Sequence, residues 1–186
     1  MPNDQDVVDL LMEQHNEIKS LFARVARARG SKKRELFEDL VRLLAVHETA
    51  EEEVVHPMAR EEIDGGDQVV DRRLEEEGRA KQALAELYEL GVDHEDFDGR
   101  LVALANDVGE HATREENDEF RSLRRKLTAD KLWQMAGAVR AAEATAPTRP
   151  HPSAGQSPIS NLLAGPPLAI FDRVQDAVRE WRISNS

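Results

Sequence analysis

HETAEE at residues 47–52 and HATREE at residues 111–116 are the two stretches that decide the fold, because they repeat one arrangement. Each places a histidine four residues before a glutamate. On an α-helix that spacing brings both side chains to one face, one turn apart. His47 with Glu51, and His111 with Glu115, can therefore each grip a metal ion from a single helix. A further histidine, His15, lies in an earlier helical segment. Two such helices and a lone histidine point to a metal site inside a four-helix bundle.

The surrounding pattern supports helices throughout. Aromatic residues make up 4% of the 186-residue chain, and Ala, Leu, Glu and Arg dominate, which is a helical composition. At ~100° per residue, Val8, Leu11, Ile18 and Phe22 fall within about 60° of His15, so that imidazole belongs to the apolar stripe of a first helix over residues 4–29. Gly30 closes this helix, and Ser31 is the expected N-cap of the next. On the second helix Leu36, Leu40, Leu43, Val54 and Met58 cluster around His47 and Glu51. Pro57 and then Asp64-Gly65-Gly66 end it. A third helix runs from about Asp67 to Leu90, with a stripe of Val70, Leu74, Ala80, Leu84 and Leu87. A fourth starts near Arg100, after the acidic loop VDHEDFDG, and carries Leu101, Leu104, Val108, His111 and Glu115.

Each helix thus sets a residue that resists burial at the centre of its apolar stripe. A carboxylate in an apolar core costs several kcal/mol unless it is paired or metal-bound. For a lone histidine, a hydrogen-bonded place in the core is the commoner outcome. Four helices making the same intrusion favour a metal centre. On the third helix Glu77 lies nearest the stripe centre and is the candidate ligand; the alternative has this helix rotated, with Glu77 solvated in the run Glu75–Glu77. Gly78 beside it costs ~1 kcal/mol relative to Ala in a helix interior and marks either a close backbone approach or a lost functional group.

Beside His47, Glu51, His111 and Glu115, the chain holds His56, His94 and His151. His56 falls ~180° from His47 and is expected to face away from the site. His94, in an acidic loop, and His151, in a proline-rich segment, read as surface residues. Tyr88 falls on the apolar side of the third helix, ~16 Å along the axis from Glu77. A zincin reading of His47-Glu48 fails, because that motif needs a second histidine where Glu51 stands. There are no cysteines, which removes disulfides, thiolate zinc sites and iron–sulfur clusters. Imidazole with carboxylate suits iron, manganese or zinc, and Glu51 and Glu115 could bridge two ions ~3.5–4 Å apart. Such binding weakens as pH falls below about 6, where imidazole protonates.

These residues resemble the hemerythrin-like, or HHE, cation-binding domains. The resemblance rests on a lone histidine on helix one, HETAEEEVVHP on helix two, a Glu-Glu on helix three and HATREENDEF on helix four, and covers about residues 4–127. It implies an all-α, up-down-up-down four-helix bundle around a non-heme di-iron centre, oxo- or hydroxo-bridged, with His15, His47, Glu51, His111 and Glu115 at ligand positions. Manganese or zinc is the less favoured occupant. The family's third helix usually supplies a histidine directly after Glu-Glu. Here that position reads Gly78, so Glu77, water or another side chain would have to substitute.

Past residue 127 the chain changes character. Residues 128–144 read as a short fifth helix capped by Thr128, with Leu132, Met135 and Val139 on its apolar side. Residues 145–166 read as an extended linker or a strap along the bundle; they include APTRPHPSAGQSP, where four prolines in thirteen residues rule out a helix or a central strand. Residues 167–183 make a final amphipathic helix with Leu168, Ile170, Phe171, Val174, Val178 and Trp181 apolar. Alone it would be marginal, so it needs a surface, either its own bundle or a second copy in a homodimer.

Function is bounded from several sides. A net charge of −12 argues against nucleic-acid binding and against an anionic membrane surface. No run approaches the ~20 apolar residues of a spanning helix, no signal peptide is visible, and a cytoplasmic protein is the simplest reading. What the resemblance implies is a centre that binds or reacts with O2, H2O2 or NO, including a peroxide-consuming, catalase-like activity. A non-catalytic iron or gas sensor or store is the second reading. The third is a structural bundle with a degenerate metal site.

Overall fold

The structure is a computed structural model and describes residues 5–145 and 166–184. Most of the expected strap, and His151 within it, lies outside the described residues, as does the Trp181 side chain. The described elements are all helical: α1 (Val7–Arg27), α2 (Gly30–Ala50), a π-helical turn (Glu51–Val55), α3 (His56–Glu62), α4 (Gly66–Leu90), α5 (Phe97–Arg114), a second π-helical turn (Glu115–Phe120), α6 (Arg121–Lys126), α7 (Ala129–Thr145) and α8 (Pro167–Ser184). Since each π-turn continues directly into the next helix, residues 30–62 and 97–126 behave as two long, interrupted helices.

Two apolar clusters fill the interior, and the order in which each helix visits them gives the topology. Helix α1 passes from Val7, Leu10 and Leu11 in one cluster to Ile18, Phe22 and Val25 in the other. The second long helix runs the opposite way, from Leu36, Leu40 and Leu44 to Val55 and Ala59. Helix α4 goes from Val70 to Leu84 and Leu87, and the fourth long helix returns from Leu101 and Leu104 to Phe120 and Leu123. This is the up-down-up-down bundle. Between the clusters every helix crosses a buried polar layer made of His15, His47, Glu51, Glu77, His111, Glu115 and Glu119.

Local chemistry sets the helix ends, not always where the sequence pattern placed them. Asp6 caps α1 in a capping box: its Oδ1 accepts from the Asp9 N–H at 2.9 Å and its own N–H donates to Asp9 Oδ2 at 3.3 Å. Helix α2 begins at Gly30 rather than after Ser31, with Arg29 at the N-cap and no side-chain cap. Gly65, at φ +72°, turns the chain into α4, and a Cβ on Gly66 would collide with the Ala59 carbonyl. The fourth long helix starts at Phe97, earlier than Arg100, because the fully buried Phe97 packs edge-on against Phe37 and pulls the end of the acidic loop inward. On α4 the buried stripe takes Arg73 in place of Leu74, since Arg73 pairs with Glu76 at 2.5 Å and reaches Asp118 at 3.7 Å. Leu74 and Tyr88 are each 37% exposed, so Tyr88 is not on the core side.

Helices α7 and α8 pack on the same bundle. Leu132, Met135 and Val139 of α7 join one apolar cluster, and Ile170, Phe171, Val174 and Val178 of α8 join the other. Leu168 instead points outward. Helix α8 also closes a gap left by proline. In the i→i−4 pattern residue 57 would donate to the Glu53 carbonyl, but Pro57 has no N–H. Arg182 Nη1 reaches that carbonyl at 3.0 Å and the Glu53 carboxylate at 3.0 Å, and Arg179 and Gln175 converge on the same carboxylate. The helix that follows Glu51 therefore runs through Pro57 instead of ending there.

Candidate metal centre

At the heart of the polar layer, three histidines and three glutamates bring their inner atoms together. His15, His47, Glu51 and Glu115 place one nitrogen or oxygen each within 4.8 Å of one another, and so do Glu51, Glu77, His111 and Glu115. The two groups share Glu51 and Glu115, the residues that open the two π-turns. Each π-turn adds a residue to the helical repeat, a feature recurrent at functional sites. All six residues named from the sequence are brought together here, and none of the described ones is left outside.

Each histidine is held from behind. His15 Nδ1 lies 2.8 Å from Glu116 Oε1, His47 Nδ1 2.8 Å from Gln14 Oε1, and His111 Nδ1 2.8 Å from Glu76 Oε2. Gln14 is itself fixed by donating to Glu143 Oε1 of α7 at 2.7 Å. Partners of this kind fix the tautomer and leave Nε2 free for a ligand. Accordingly His15 Nε2 faces Glu115 at 3.3 Å, His111 Nε2 faces Glu115 at 3.1 Å, and His47 Nε2 faces Glu51 at 3.4 Å. The His15 ring also stacks on Phe120, with 5.6 Å between ring centroids.

The inner atoms are unpartnered. His15 Nε2, His111 Nε2, Glu77 Oε2, and both oxygens of Glu51 and of Glu115 are buried without a hydrogen bond. The close approaches to Glu115 lack the alignment of one. Buried polar atoms are nearly always satisfied, so seven orphans facing one small volume call for an occupant that accepts many donors at once. A pair of cations shared by Glu51 and Glu115 meets that need.

Electrostatics agree with this arrangement. Burial pushes the Glu51 carboxyl well above its ordinary range, and Glu115 and Glu77 push it further. Burial drives His47 well below the ordinary imidazole value, with His15 acting in the same direction, so His47 offers a neutral ring. Glu115 resists burial because His111 and His15 hold it well below the usual range. His111, against the pull of burial, is raised to about 9 by Glu115 and Glu76. Perturbed groups gathered in a cleft mark a functional site.

A cavity of about 210 Å³ connects the layer to the surface between α4 and α5. Its rim carries the exposed Arg79, Asp107 and Glu110, and its inner wall reaches His15, His47, Glu77 and His111 beside Ile18, Leu44 and Val108.

Four findings depart from the sequence reading. His56 does not face away: it is 2% exposed, with Nε2 at 2.6 Å from Glu77 Oε1 and Nδ1 at 2.9 Å from Glu119 Oε1. The π-turn at Glu51–Val55 is the reason, since one extra residue in the repeat turns everything after it by ~100°. Gly78 is exposed, and a Cβ there would meet nothing within 4 Å, so it neither marks a close approach nor points at the cluster; the inward position on α4 belongs to Glu77, 1% exposed. Glu119 was missed, although it sits four residues after Glu115 and so on the same face. Gln14 was missed because it lies ~100° from His15 around α1 and touches the site only through His47.

Comparisons with known proteins bear on the same residues. A family model described as the hemerythrin HHE cation binding domain matches residues 6–123. The chain is 27% identical over 141 residues to a DNA nickase of Nostoc sp., covering 75% of this chain and 40% of that protein. It is 23% identical over 177 residues to an uncharacterized hemerythrin-like protein of Schizosaccharomyces pombe, covering 94% of this chain and 87% of that one. A crystal structure of a hemerythrin HHE cation binding domain-containing protein from Mycobacterium kansasii shares the fold, with a TM-score of 0.67 at 16% identity over 91% of this chain and 99% of that chain. Among the described residues, no helix is long and apolar enough to cross a membrane.

Proposed function

Because the chain belongs to the hemerythrin HHE cation-binding family, we propose that its polar layer holds two metal ions, iron in both places, and that this centre binds or reacts with O2, H2O2 or NO. The observation that carries the reading is the set of orphaned inner atoms. Their donor set of imidazole and carboxylate fits iron better than calcium or magnesium, which prefer oxygen alone. His15 and His47 would hold one ion and His111 and Glu77 the other, with Glu51 and Glu115 shared. When bound, a di-iron pair supplies a redox-active centre open to a small ligand.

The chain's own residues do the rest. Glu116, Gln14 and Glu76 keep the Nε2 atoms of His15, His47 and His111 turned inward. Ile18, Leu44 and Val108 give the cavity an apolar wall that limits water. At about 210 Å³ the space takes a diatomic or a peroxide together with water. The alternative, sensing or storage at the same centre without turnover, uses the same residues.

Iron-loaded protein should consume H2O2, or change its visible spectrum on exposure to O2 or NO. His47→Ala and His111→Ala should lose that response. Turnover of peroxide favours the enzyme reading, and a spectral change without turnover favours sensing. An iron-loaded protein inert to all three ligands would overturn the proposal beyond cation binding.

A further inference from the structure

Three directions into the centre are filled by imidazoles held from behind, but the fourth, from α4, is filled by a carboxylate. Glu77 is 1% exposed and its two oxygens do different things. Oε1 lies 2.6 Å from His56 Nε2, whereas Oε2 is buried and unpartnered, in a side chain grouped with Glu51, His111 and Glu115. The other nitrogen of His56, Nδ1, lies 2.9 Å from Glu119 Oε1, and Glu119 is fully buried. Glu119, His56 and Glu77 thus form a buried row, carboxylate–imidazole–carboxylate, running toward the centre from outside it.

We infer that His56 is a positioning residue that makes Glu77 a one-oxygen ligand for the ion on the α4 side, in place of a direct imidazole from that helix. The inference rests on the two-metal reading above. The ring thus spans two buried carboxylates, with one carboxylate oxygen at hydrogen-bond distance from each of its nitrogens. It separates two carboxylates that would otherwise approach each other in a dry interior. Donation by Nε2 also stops Glu77 from rotating, committing Oε1 to His56 and leaving Oε2 as the free donor atom. The π-turn at Glu51–Val55 is what delivers His56 to this place, so the local helix distortion and the ligand choice on α4 belong together.

The test is a titration of the metal-free protein with Co(II), whose visible absorption reports each ion's ligands, together with competition by a chelator for affinities and thermal melts for folding. Wild type should bind two ions. His56→Phe should keep one at wild-type affinity and weaken the other about 10–100-fold, the usual effect of removing a group that orients a ligand. His56→Gln, which retains one N–H donor, should fall between them. The double variant H56F/E77H, which returns an imidazole to α4, should recover two ions with an altered Co(II) spectrum. Two ions at wild-type affinity with a wild-type spectrum in His56→Phe would overturn the inference and leave the metal reading standing. So would equal weakening of both ions without recovery in the double variant. If His56→Phe does not fold, His56→Gln decides: a weakened second ion supports the inference, and wild-type behaviour refutes it. A wild-type protein that takes up no ion overturns the metal reading and this inference together.

Discussion

Replacing Glu51 with methionine should stabilise the metal-free protein while abolishing its response to metal. Glu51 is fully buried, neither of its oxygens has a hydrogen bond, and burial with Glu115 and Glu77 makes its ionised form unfavourable. Leaving a buried polar group unsatisfied costs about 1–3 kcal/mol. Methionine has similar length and reach but nothing to satisfy, so Glu51→Met should recover most of that cost. For a chain of this size the melting temperature rises about 2–4 °C per kcal/mol, so the gain should be about 2–12 °C in chelator-treated protein. Wild type gains from added iron or Co(II), by about 2.7 kcal/mol per site at a hundredfold excess over Kd. Glu51→Met, lacking the oxygens shared by both groups, should gain little. Melts followed by circular dichroism, with and without metal, should therefore reverse the order of the two proteins. An apo variant less stable than apo wild type, or one that gains as much from metal, would refute the assignment of Glu51 as a residue kept for ligation at the expense of stability.

Three further outcomes follow from the same geometry. His56 and His111 are raised from 6.5 to about 10 and about 9, so their contribution is whole below pH 6.5 and disappears as pH rises through those values; the metal-free protein should lose a few kcal/mol between about pH 6.5 and 10 in denaturant titrations, and a flat profile would contradict the pairings. Below pH 6.5 the sign reverses for His47, whose lowered value means the folded state resists the proton. Gly78→His should leave metal content unchanged, because that position faces outward; an added ion by elemental analysis would move the α4 register. Phe171→Ala should cost about 3–5 kcal/mol by emptying the contact of α8 with the bundle, with metal stoichiometry intact.

The parts of this architecture legible in the sequence are those where a helix keeps its 3.6-residue repeat. His15 fell on its stripe because α1 is regular from Val7 to Arg27. His47 with Glu51 and His111 with Glu115 lie just before each π-turn, so their pairing was also readable. Beyond each π-turn the repeat shifts, and the shift hid His56, the very residue that completes the α4 side. Nothing local announces it: the turns EEEVV and EENDEF contain neither glycine nor proline. On α4 the apolar stripe pointed to Glu77, and the structure turns Glu77 inward while Gly78, where the family usually has a histidine, faces outward. Arg73 replaced Leu74 in the buried stripe because ion pairs to Glu76 and Asp118 stabilise a charge that patterning alone assigns to water. Support from Gln14 and Glu143 is tertiary, joining residues 129 apart, and no spacing rule reveals it.

The central claim is that six side chains form one centre for two ions that share Glu51 and Glu115. Metal content per chain, measured by elemental analysis on protein purified without chelator and again on Glu115→Ala, tests it most directly. The account predicts about two ions per wild-type chain and loss of both in the variant, since Glu115 belongs to both ligand groups. A wild-type chain with no metal, or a Glu115→Ala protein that still holds two, would contradict it.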